Sequence, residues 1–272
     1  MNKKERHQRD LSGLCDGFLE TGDAGELLAY VASNSNLPGR RGNLELAQAF
    51  GDVVEDEAAG EAQRLWDLCR QMTDVSADEA PVNAPAELIP FCGALGIGAI
   101  GAVSPAFFEP ALSTLRAVAN DPRWRMREAV VFGLQRLLAT RCQDTLNALE
   151  RWVVAGAWLE MRAAAAAVAE PALLKDGHTA IAALELHKRI VDHVLQAEER
   201  RCETFRVLRK GLGYTLSVVV RALPEEGFAF MAELVDSGDP DALWVVKQNL
   251  KKRRLARNFP EEVASLTGRL SH

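Results

Sequence analysis

Aromatic residues and β-strand patterns are scarce in this chain. Aromatics make up 6 % of its 272 residues, against 48 % hydrophobic and 26 % charged residues. Runs in which Val, Ile or Thr alternate with polar residues are missing, whereas Ala and Leu abound. Because strands favour β-branched and aromatic residues while helices favour Ala and Leu, the composition predicts an all-α protein.

Cysteine is also sparse, and its spacing excludes two kinds of site. The cysteines are an odd number, lie far apart and include no C-x-x-C pair: Cys15, Cys69, Cys92, Cys142 and Cys202. A disulfide framework or a zinc site needs paired, closely spaced cysteines. We expect reduced thiols. The polar start Met1–His7 is not followed by a signal-peptide core, so we expect a cytoplasmic protein.

Motifs of known catalysis are missing as well. The sequence contains no G-x-S-x-G, no H-E-x-x-H and no Walker-type loop. His178, His187 and His193 are nine and six residues apart, whereas a metal between two imidazoles on one helical face needs a spacing of roughly three or four. The sequence therefore favours a protein without catalytic residues, metal or cofactor.

One glycine-rich segment resembles a nucleotide motif. Gly96 to Gly101 spells G-x-G-x-x-G, and Asp121 follows about 20 residues on. That motif requires a β-strand before the glycine turn, but residues 85–91 contain two prolines and no β-branched run. We predict instead that these glycines let a neighbouring helix approach closely.

The same region forms a long uncharged stretch. No charged side chain occurs from Leu88 to Phe108, a length sufficient for a bilayer span. Prolines and glycines interrupt it, and Ser104-Pro105 is typical of a cap followed by a new helix. We expect two buried helices joined near Val103, with a membrane span as the alternative.

Charge is distributed unevenly along the chain. Residues 1–120 carry 9 Lys/Arg against 18 Asp/Glu, and residues 121–272 carry 23 against 20. Since affinity for phosphates comes from clustered Lys and Arg, nucleic acid is not expected along the whole length. The C-terminal half alone has the charge to bind it.

Helical periodicity predicts most of the elements. Short helices are expected at 10–19, 24–33, from Asn43 and at 62–72, followed by a polar connection at 73–85 and helices at 105–119 and 122–138. Further helices are predicted at 158–168, 178–196 and 199–210, the last ended by Gly211-Leu212-Gly213. The β-branched run Tyr214–Val220 is expected to be a buried helix.

A recurrent pattern begins at Asp121. This residue can cap a helix, Pro122 suits the first helical position, and an apolar-basic pair, Met126-Arg127, follows five residues after the Asp. The pair recurs 35 residues later as Met161-Arg162. It recurs again as Val246-Lys247, five residues after Asp241.

This pattern resembles the second helix of a HEAT repeat, over roughly residues 104–270. The resemblance implies an all-α fold, an α-solenoid of antiparallel HEAT-like helix pairs. It implies an acidic helical region at 1–80 and repeats at 81–272, with one continuous solenoid as an equally simple account. An Asp–Arg ladder along the stack implies structural roles for Asp121, Arg127, Arg162 and Asp241.

HEAT-like folds include the alkylpurine DNA glycosylases, which this chain resembles in carrying tryptophans and arginines on helices. The tryptophans are Trp66, Trp124, Trp152, Trp158 and Trp244. No tryptophan–aspartate cluster aligns with that family's pattern, so the resemblance implies no catalytic residue here.

Two segments are candidates for binding. The first is the basic end of a helix that also bears Trp244 and Lys247; it comprises Lys251, Lys252, Arg253 and Arg254, with Arg257 close behind. Such a cluster attracts phosphates or acidic protein surfaces, but basic residues also simply favour helix C-termini. The second is the loop with Arg40 and Arg41 before a helix start, which is either an anion site or a tight turn.

Two functions fit these observations. The first is a cytoplasmic, non-catalytic scaffold or adaptor that binds a protein partner, with no membrane and no nucleotide cofactor. The second is a DNA-binding relative of the HEAT-like glycosylases. They differ in whether the basic residues line one strip with a Trp or scatter over several faces. The residues concerned are Arg123, Arg127, Arg162, Lys247 and Lys251 to Arg254.

Overall fold

In the computed structural model, which describes residues 2–270, the chain is built from α-helices joined by connections of varied length, the longest at 34–43 and 74–87. No β-strand occurs in that range, and the prediction of an all-α fold is confirmed. The helices are α1 (Lys3–Thr21), α2 (Gly25–Ser33), α3 (Leu44–Thr73), α4 (Leu88–Val103), α5 (Phe108–Val118), α6 (Trp124–Thr140), α7 (Cys142–Ala155), α8 (Trp158–Val168), α9 (Gly177–Gln196), α10 (Glu203–Ala222), α11 (Pro224–Asp236), α12 (Pro240–Leu250), α13 (Arg253–Ala256) and α14 (Pro260–Arg269).

The helices form two compact units. Unit 1 extends to Arg141 and contains α1 to α6; unit 2 begins at Cys142 and contains α7 to α14. The expected division near residue 80 does not coincide with this boundary. The connection around residue 80 lies inside unit 1, because α3 and α4, on either side of it, pack along each other.

Helix α4 is the centre of unit 1. It packs against α3, α5 and α6, and within it only Ile89 and Val103 are not buried. Together with the turn before it, the helix has the length and hydropathy of a membrane span, and 83 % of that stretch is buried inside the structure. The uncharged stretch is thus two helices that meet after Val103, as expected.

Glycines on α4 allow this close packing. A β-carbon on Gly98 would lie 2.4 Å from Cα of Gly133 on α6, and one on Gly96 would lie 2.3 Å from Sγ of Cys69 on α3. Any side chain at Gly98 would push two backbones apart. The G-x-G-x-x-G segment therefore lies inside a helix and serves packing, as its sequence context predicted.

Two N-terminal predictions need correction. Helix α1 begins earlier than residue 10, because Asn2 and Glu5 form a capping box in which each side chain accepts from the other's backbone amide. The helices expected from Asn43 and at 62–72 are one element, α3, with a kink where Glu61 leaves helical geometry (φ −124°, ψ 28°).

Asp121 does not cap α6, contrary to the prediction. The helix begins at Trp124, and Asp121 lies in the turn before it. Its carboxylate accepts from the amide of Arg123 at 2.7 Å and pairs with the Arg123 guanidinium at 2.8 Å. Arg127 donates to the carbonyl oxygens of Asp121 and Pro122 at 3.0 and 3.1 Å. These contacts close the turn that enters the helix.

Arg123 fastens this turn to the connection after α3. The side chain is buried, and its guanidinium donates to the carbonyl oxygens of Val75 at 3.0 Å and of Ser76 and Ala80 at 3.2 Å. Arg123 is therefore a structural residue and does not belong to a surface strip of cations.

In unit 2, α10 is the central helix. It packs against α8 and against α12, while α7 packs against α9. Consecutive helices such as α7 and α8, or α11 and α12, are joined by short turns and contact each other, which is the arrangement of antiparallel helix pairs.

The predicted end of the helix at Gly211–Gly213 is also wrong, because α10 continues past both glycines. The helix continues through Ala222, and the predicted helix at 214–220 is part of it. A β-carbon on Gly213 would lie 2.9 Å from Cζ3 of Trp244, so this glycine makes room for the indole of α12. The helix continues past the two glycines because the residues that follow them bury their side chains in unit 2, and this packing outweighs the low helix propensity of glycine.

A buried amide joins α10 to α12. Oδ1 of Asn249 accepts from the amide of Ser217 at 2.8 Å, and its Nδ2 donates to the carbonyl oxygens of Leu212 at 2.9 Å and Val245 at 2.8 Å. Asn249 and Ser217 are both fully buried. Both the oxygen and the nitrogen of this amide are therefore hydrogen-bonded in the core.

A buried histidine joins α9 to α10. His187 donates from Nδ1 to the carbonyl oxygen of Ala183 at 2.8 Å, so its Nε2 accepts from the hydroxyl of Thr215 at 3.0 Å. Burial lowers the pKa of this imidazole to about 4. The ring is therefore neutral at physiological pH and acts in packing.

The start of α12 is displaced from the prediction by two residues. Asp239, not Asp241, is the cap, and it accepts from the amides of Asp241 and Ala242 ahead of Pro240. Burial alone would raise the pKa of Asp239, but hydrogen bonds from Arg200 and from these amides lower it. Asp241 instead pairs with Arg200 and Arg209.

Candidate functional site

A surface of unit 2 combines basic and aromatic side chains from α10, α12 and α13. We call it the basic–aromatic face, and it consists of Arg206, Lys210, Tyr214, Trp244, Lys247, Lys251, Lys252 and Arg254. All eight side chains are exposed or half-buried. Helices α10 and α12 pack side by side, and α13 packs on α10, so the eight residues lie on adjoining elements.

Three of these residues form a stripe on α10. Arg206, Lys210 and Tyr214 follow one another at intervals of four and are the exposed positions in this part of the helix. Residues four apart lie on one helical face. The stripe therefore presents two cations and a phenol to solvent.

Tyr214 is enclosed by two cations. The Arg254 guanidinium carbon lies 4.7 Å and Lys252 Nζ lies 5.2 Å from the ring centroid. Nη2 of Arg254 also donates to the phenol oxygen at 2.7 Å. With half of its surface exposed, the tyrosine orders both cations while its ring stays available to a partner.

Trp244 is supported from below by α10. Its ring packs on Gly213, and the guanidinium carbon of Arg209 lies 4.6 Å from the ring centroid. Arg209 is itself paired with Asp241. The Arg209 charge is therefore neutralised locally, and the free positive charge of the face comes from other residues.

Four cations of the face have no ion pair within residues 2–270. They are Arg206, Lys210, Lys247 and Lys251. Lys247 and Lys251 border a shallow cavity of about 180 Å³ whose other walls include Leu250 and Thr267. Unpaired cations around an apolar depression can bind carboxylates or phosphates.

The structure rearranges the predicted basic cluster. Lys251 is the C-cap that follows α12, and Lys252 stands before the short helix α13, so the cluster is not one helix terminus. Lys252 and Arg254 turn back onto Tyr214, and Arg253 and Arg257 are exposed on α13 and just after it. Arg162 of α8 packs against Gly211 of α10.

Sequence reasoning missed the contribution of α10. Ending a helix at Gly211–Gly213 separated Arg206 and Lys210 from Tyr214, so the stripe was not recognised. The spacing of four between these residues was the signal that could have revealed it.

Unit 1 contains a second candidate site, a cleft of about 280 Å³ at the predicted Arg40–Arg41 loop. Its apolar walls are formed by Leu44, Leu88, Phe91, Trp124 and Phe132. Leu44 is 43 % exposed and Trp124 is 46 % exposed, so both form an open apolar rim. We call this site the Trp124 cleft.

The loop before α3 is firmly anchored beside this cleft. Gly39 donates its amide to Oδ1 of Asn83 at 2.9 Å, and its carbonyl oxygen accepts from Nη2 of Arg125 at 2.9 Å. Asn43 caps α3 by accepting from the amide of Leu46 at 3.1 Å. Arg40 and Arg41 lie between these anchors, line the cleft and are both exposed.

A buried ion pair lies behind the loop. Nη1 of Arg125 donates to Oε2 of Glu87 at 2.8 Å, and the same oxygen accepts from the amide of Asn83 at 2.7 Å. The Arg125 guanidinium carbon also lies 4.4 Å from the centroid of the Trp124 ring. Arg125 thus fixes both the loop and the indole, and it is a positioning residue.

The other side chains that could bind a metal, stack on a ligand or react are packed or buried in the fold. Within residues 2–270, no group of three or more His, Cys, Asp or Glu residues is arranged to hold a metal ion. Trp66 packs on Phe107, Trp152 is buried, and Trp158 packs edge-on against Phe205. Burial raises the pKa of the Cys15 thiol to about 12 and raises those of Cys69 and Cys92 as well.

Comparison with known proteins gives little similarity. No protein-family model matches the sequence. No curated protein matches it. A designed armadillo repeat protein is similar in structure at 14 % sequence identity, covering 89 % of this chain and 98 % of that one, with a TM-score of 0.28. A likeness at this level does not identify a function.

Proposed function

We propose that the protein is a non-catalytic, HEAT-like helical scaffold that binds an acidic segment of a protein partner on the basic–aromatic face. The observation that supports this most directly is that four cations without an ion pair within residues 2–270, Arg206, Lys210, Lys247 and Lys251, are exposed on the elements that carry Tyr214 and Trp244. Tyrosine and tryptophan at the centre of a surface contribute much of the binding energy in protein interfaces, and rim charges steer the partner.

The charge balance favours protein over nucleic acid as the partner. The whole chain carries a net charge of −6, and the Lys/Arg and Asp/Glu residues of unit 2 balance each other. Phosphate backbones need a strong positive field, whereas a short acidic segment needs only the local cations. Arg209, whose guanidinium group lies over the Trp244 ring, is already paired with Asp241.

DNA is the second candidate, supported by the aromatic rings that alternate with cations on the face. Proteins that bind single strands combine a cationic groove with rings on which bases stack. The resemblance to HEAT-like glycosylases would then extend to function. Arg123 and Arg127 of unit 1 make no part of such a strip, since both are used in the turn before α6.

Fluorescence anisotropy on the full chain tests these candidates. The probes are a fluorescein-labelled peptide of alternating Glu and Phe residues, the same peptide with Gln in place of every Glu, and labelled single- and double-stranded DNA. We expect the acidic peptide to bind at about 0.15 M salt and the Gln peptide and DNA to bind at least about tenfold more weakly. Tighter binding of DNA, with a steep salt dependence, would replace the first candidate by the second.

A matched pair of variants localises the binding. The triple variant Lys210→Gln, Lys247→Gln, Lys251→Gln is expected to weaken the acidic peptide by about tenfold or more. The control, Arg151→Gln, Lys175→Gln, Arg189→Gln, removes the same charge from exposed positions outside α10, α12 and α13. Equal weakening in both variants would refute a local site, and release of an alkylated base from modified DNA would refute the absence of catalysis.

A further inference from the structure

The Trp124 cleft is large enough to hold one large apolar side chain. Its volume of about 280 Å³ lies just below the range of roughly 300–1,000 Å³ that is typical of sites for small-molecule ligands and cofactors. Leu44 and Trp124 are exposed at its rim, so the cleft is open to solvent. A peptide backbone can therefore continue on both sides of a side chain that is bound in the cleft. The cleft therefore suits a side chain of a longer peptide.

The charge at the mouth of the cleft is positive and unpaired. Neither Arg40 nor Arg41 makes an ion pair within residues 2–270, and both side chains are exposed. Guanidinium groups bind carboxylates through paired hydrogen bonds. The Arg40 and Arg41 positions are also ordered in advance, because Gly39 is bonded on one side to Asn83 and on the other to Arg125. Such ordering reduces the entropy cost of binding.

The unpaired charges of the cleft lie on its loop side. Of the two charged residues on the α6 wall, Arg125 is paired with Glu87 and Glu128 also has an interaction partner. A carboxylate of an occupant is therefore attracted toward the loop. This distribution of charge gives the occupant a preferred direction across the cleft.

We propose that the Trp124 cleft binds a segment of a protein partner in which a large apolar side chain is followed directly by acidic residues. The apolar side chain contacts Trp124 and Leu44, and the carboxylates contact Arg40 and Arg41. This site lies entirely within unit 1 and is independent of the basic–aromatic face, so either can fail without the other.

The test uses fluorescein-labelled peptides with the central sequence Leu-Glu-Glu, Ser-Glu-Glu or Leu-Gln-Gln, added to the full chain. Burial of a leucine side chain predicts that the Ser peptide binds about tenfold or more weakly. Loss of two carboxylate contacts predicts a reduction of about five- to tenfold for the Gln peptide. Equal affinity of the Gln peptide, or no binding of Leu-Glu-Glu, overturns the proposal.

Variants of the protein then assign the contacts. Arg40→Gln with Arg41→Gln is expected to weaken the Leu-Glu-Glu peptide about five- to tenfold while leaving the Gln peptide unchanged. Lys3→Gln with Arg6→Gln removes the same charge from exposed positions of α1 and is expected to change neither affinity. Equal effects of the two double variants would show a general charge effect and overturn the assignment.

Trp124→Ala supplies the apolar counterpart. Because the side chain is almost half exposed, this variant is expected to fold, which its circular dichroism melt verifies. It should weaken the Leu-Glu-Glu peptide about tenfold. Should octanoate displace the peptide from the wild-type chain and bind more tightly than it does, the cleft takes a small amphiphilic acid, and the peptide proposal fails.

Discussion

Arg125 and Glu87 form a salt bridge at 2.8 Å, with the arginine side chain 6 % exposed and the glutamate side chain fully buried. The arginine also holds Gly39 of the Arg40–Arg41 loop. One buried pair thus connects the start of α4 to the start of α6 and to the loop beside the Trp124 cleft.

Removal of one partner of this pair should be strongly destabilising. Arg125→Met leaves the Glu87 carboxylate buried without its cation, and we expect a loss of about 3–5 kcal/mol in the free energy of unfolding. Adding Glu87→Gln should restore part of that loss, because the uncompensated charge is gone. Urea denaturation measures both changes; a loss below about 1 kcal/mol in Arg125→Met would show that the pair is dispensable.

Asp121→Ala removes the carboxylate that orients Arg123. We expect a loss of about 1–3 kcal/mol, since a buried charged hydrogen-bonding group loses its counter-charge while keeping its carbonyl acceptors. Asp121→Asn keeps an acceptor for the Arg123 amide and should lose less. Thermal or urea unfolding checks this order, and the reverse order would contradict the contact seen in the turn before α6.

Gly98→Ala should destabilise unit 1 by at least about 2 kcal/mol, because the new β-carbon would meet the backbone of Gly133 and force α4 and α6 apart. Gly13→Ala in α1 is the control. Apart from its chain neighbours and the backbone of its own helix, no atom lies within 4 Å of a β-carbon at Gly13, and replacing a helical glycine by alanine should stabilise by up to about 1 kcal/mol. Opposite signs in urea unfolding are the expected result.

His187 should make the stability depend on pH. Its pKa is lowered to about 4 in the folded chain from 6.5, so the unfolded state binds a proton more readily. The free energy of unfolding is therefore lost as the pH falls below the unfolded value, by roughly 2 kcal/mol from about pH 7 to about pH 5. His187→Gln removes this component, and the difference between the two pH profiles isolates it. A difference that does not change with pH would refute a neutral, buried imidazole.

Thiol reactivity should follow burial. Cys15, Cys69 and Cys92 are buried with raised pKa values, whereas Cys142 and Cys202 are half-buried. Hydrogen bonds from Thr204 and from the amide of Phe205 lower the pKa of Cys202. In the native chain, Ellman's reagent should react first with Cys202, and the three buried thiols should react only on unfolding. Mass spectrometry of the labelled peptides identifies the order.

The sequence predicted the helices well where periodicity and caps agree. The sequence predicts a helix start at Asn43, and Asn43 does cap α3. The sequence misled where one residue type has two roles. Gly211 and Gly213 look like terminators, yet Gly213 accommodates an indole from another helix, a contact that depends on residues 31 positions away. Asp121-Pro122 and Asp239-Pro240 look alike, yet only Asp239 caps its helix.

The candidate sites were predicted in part for the same reason. Local clustering of basic and aromatic residues in the sequence indicates Arg40, Arg41, Trp244, Lys247 and Lys251 to Arg254 as candidates for binding. The sequence does not place Trp124 and Tyr214 in these sites, because the residues around them come from other parts of the chain. Such partners depend on tertiary packing, which a single sequence does not specify locally.

The hydrogen bonds of the Asn249 amide fix the position of α12 along α10. If α12 slid along α10 by one turn, Oδ1 would lose the amide of Ser217 and a polar group would be stranded in the core. A shift of α12 along α10 therefore costs the free energy of these hydrogen bonds. The distance between Lys210 on α10 and Lys247 on α12 is preserved as a result. Substitutions on the outside of these helices can therefore exchange one binding specificity for another while the spacing between the exchanged groups stays the same.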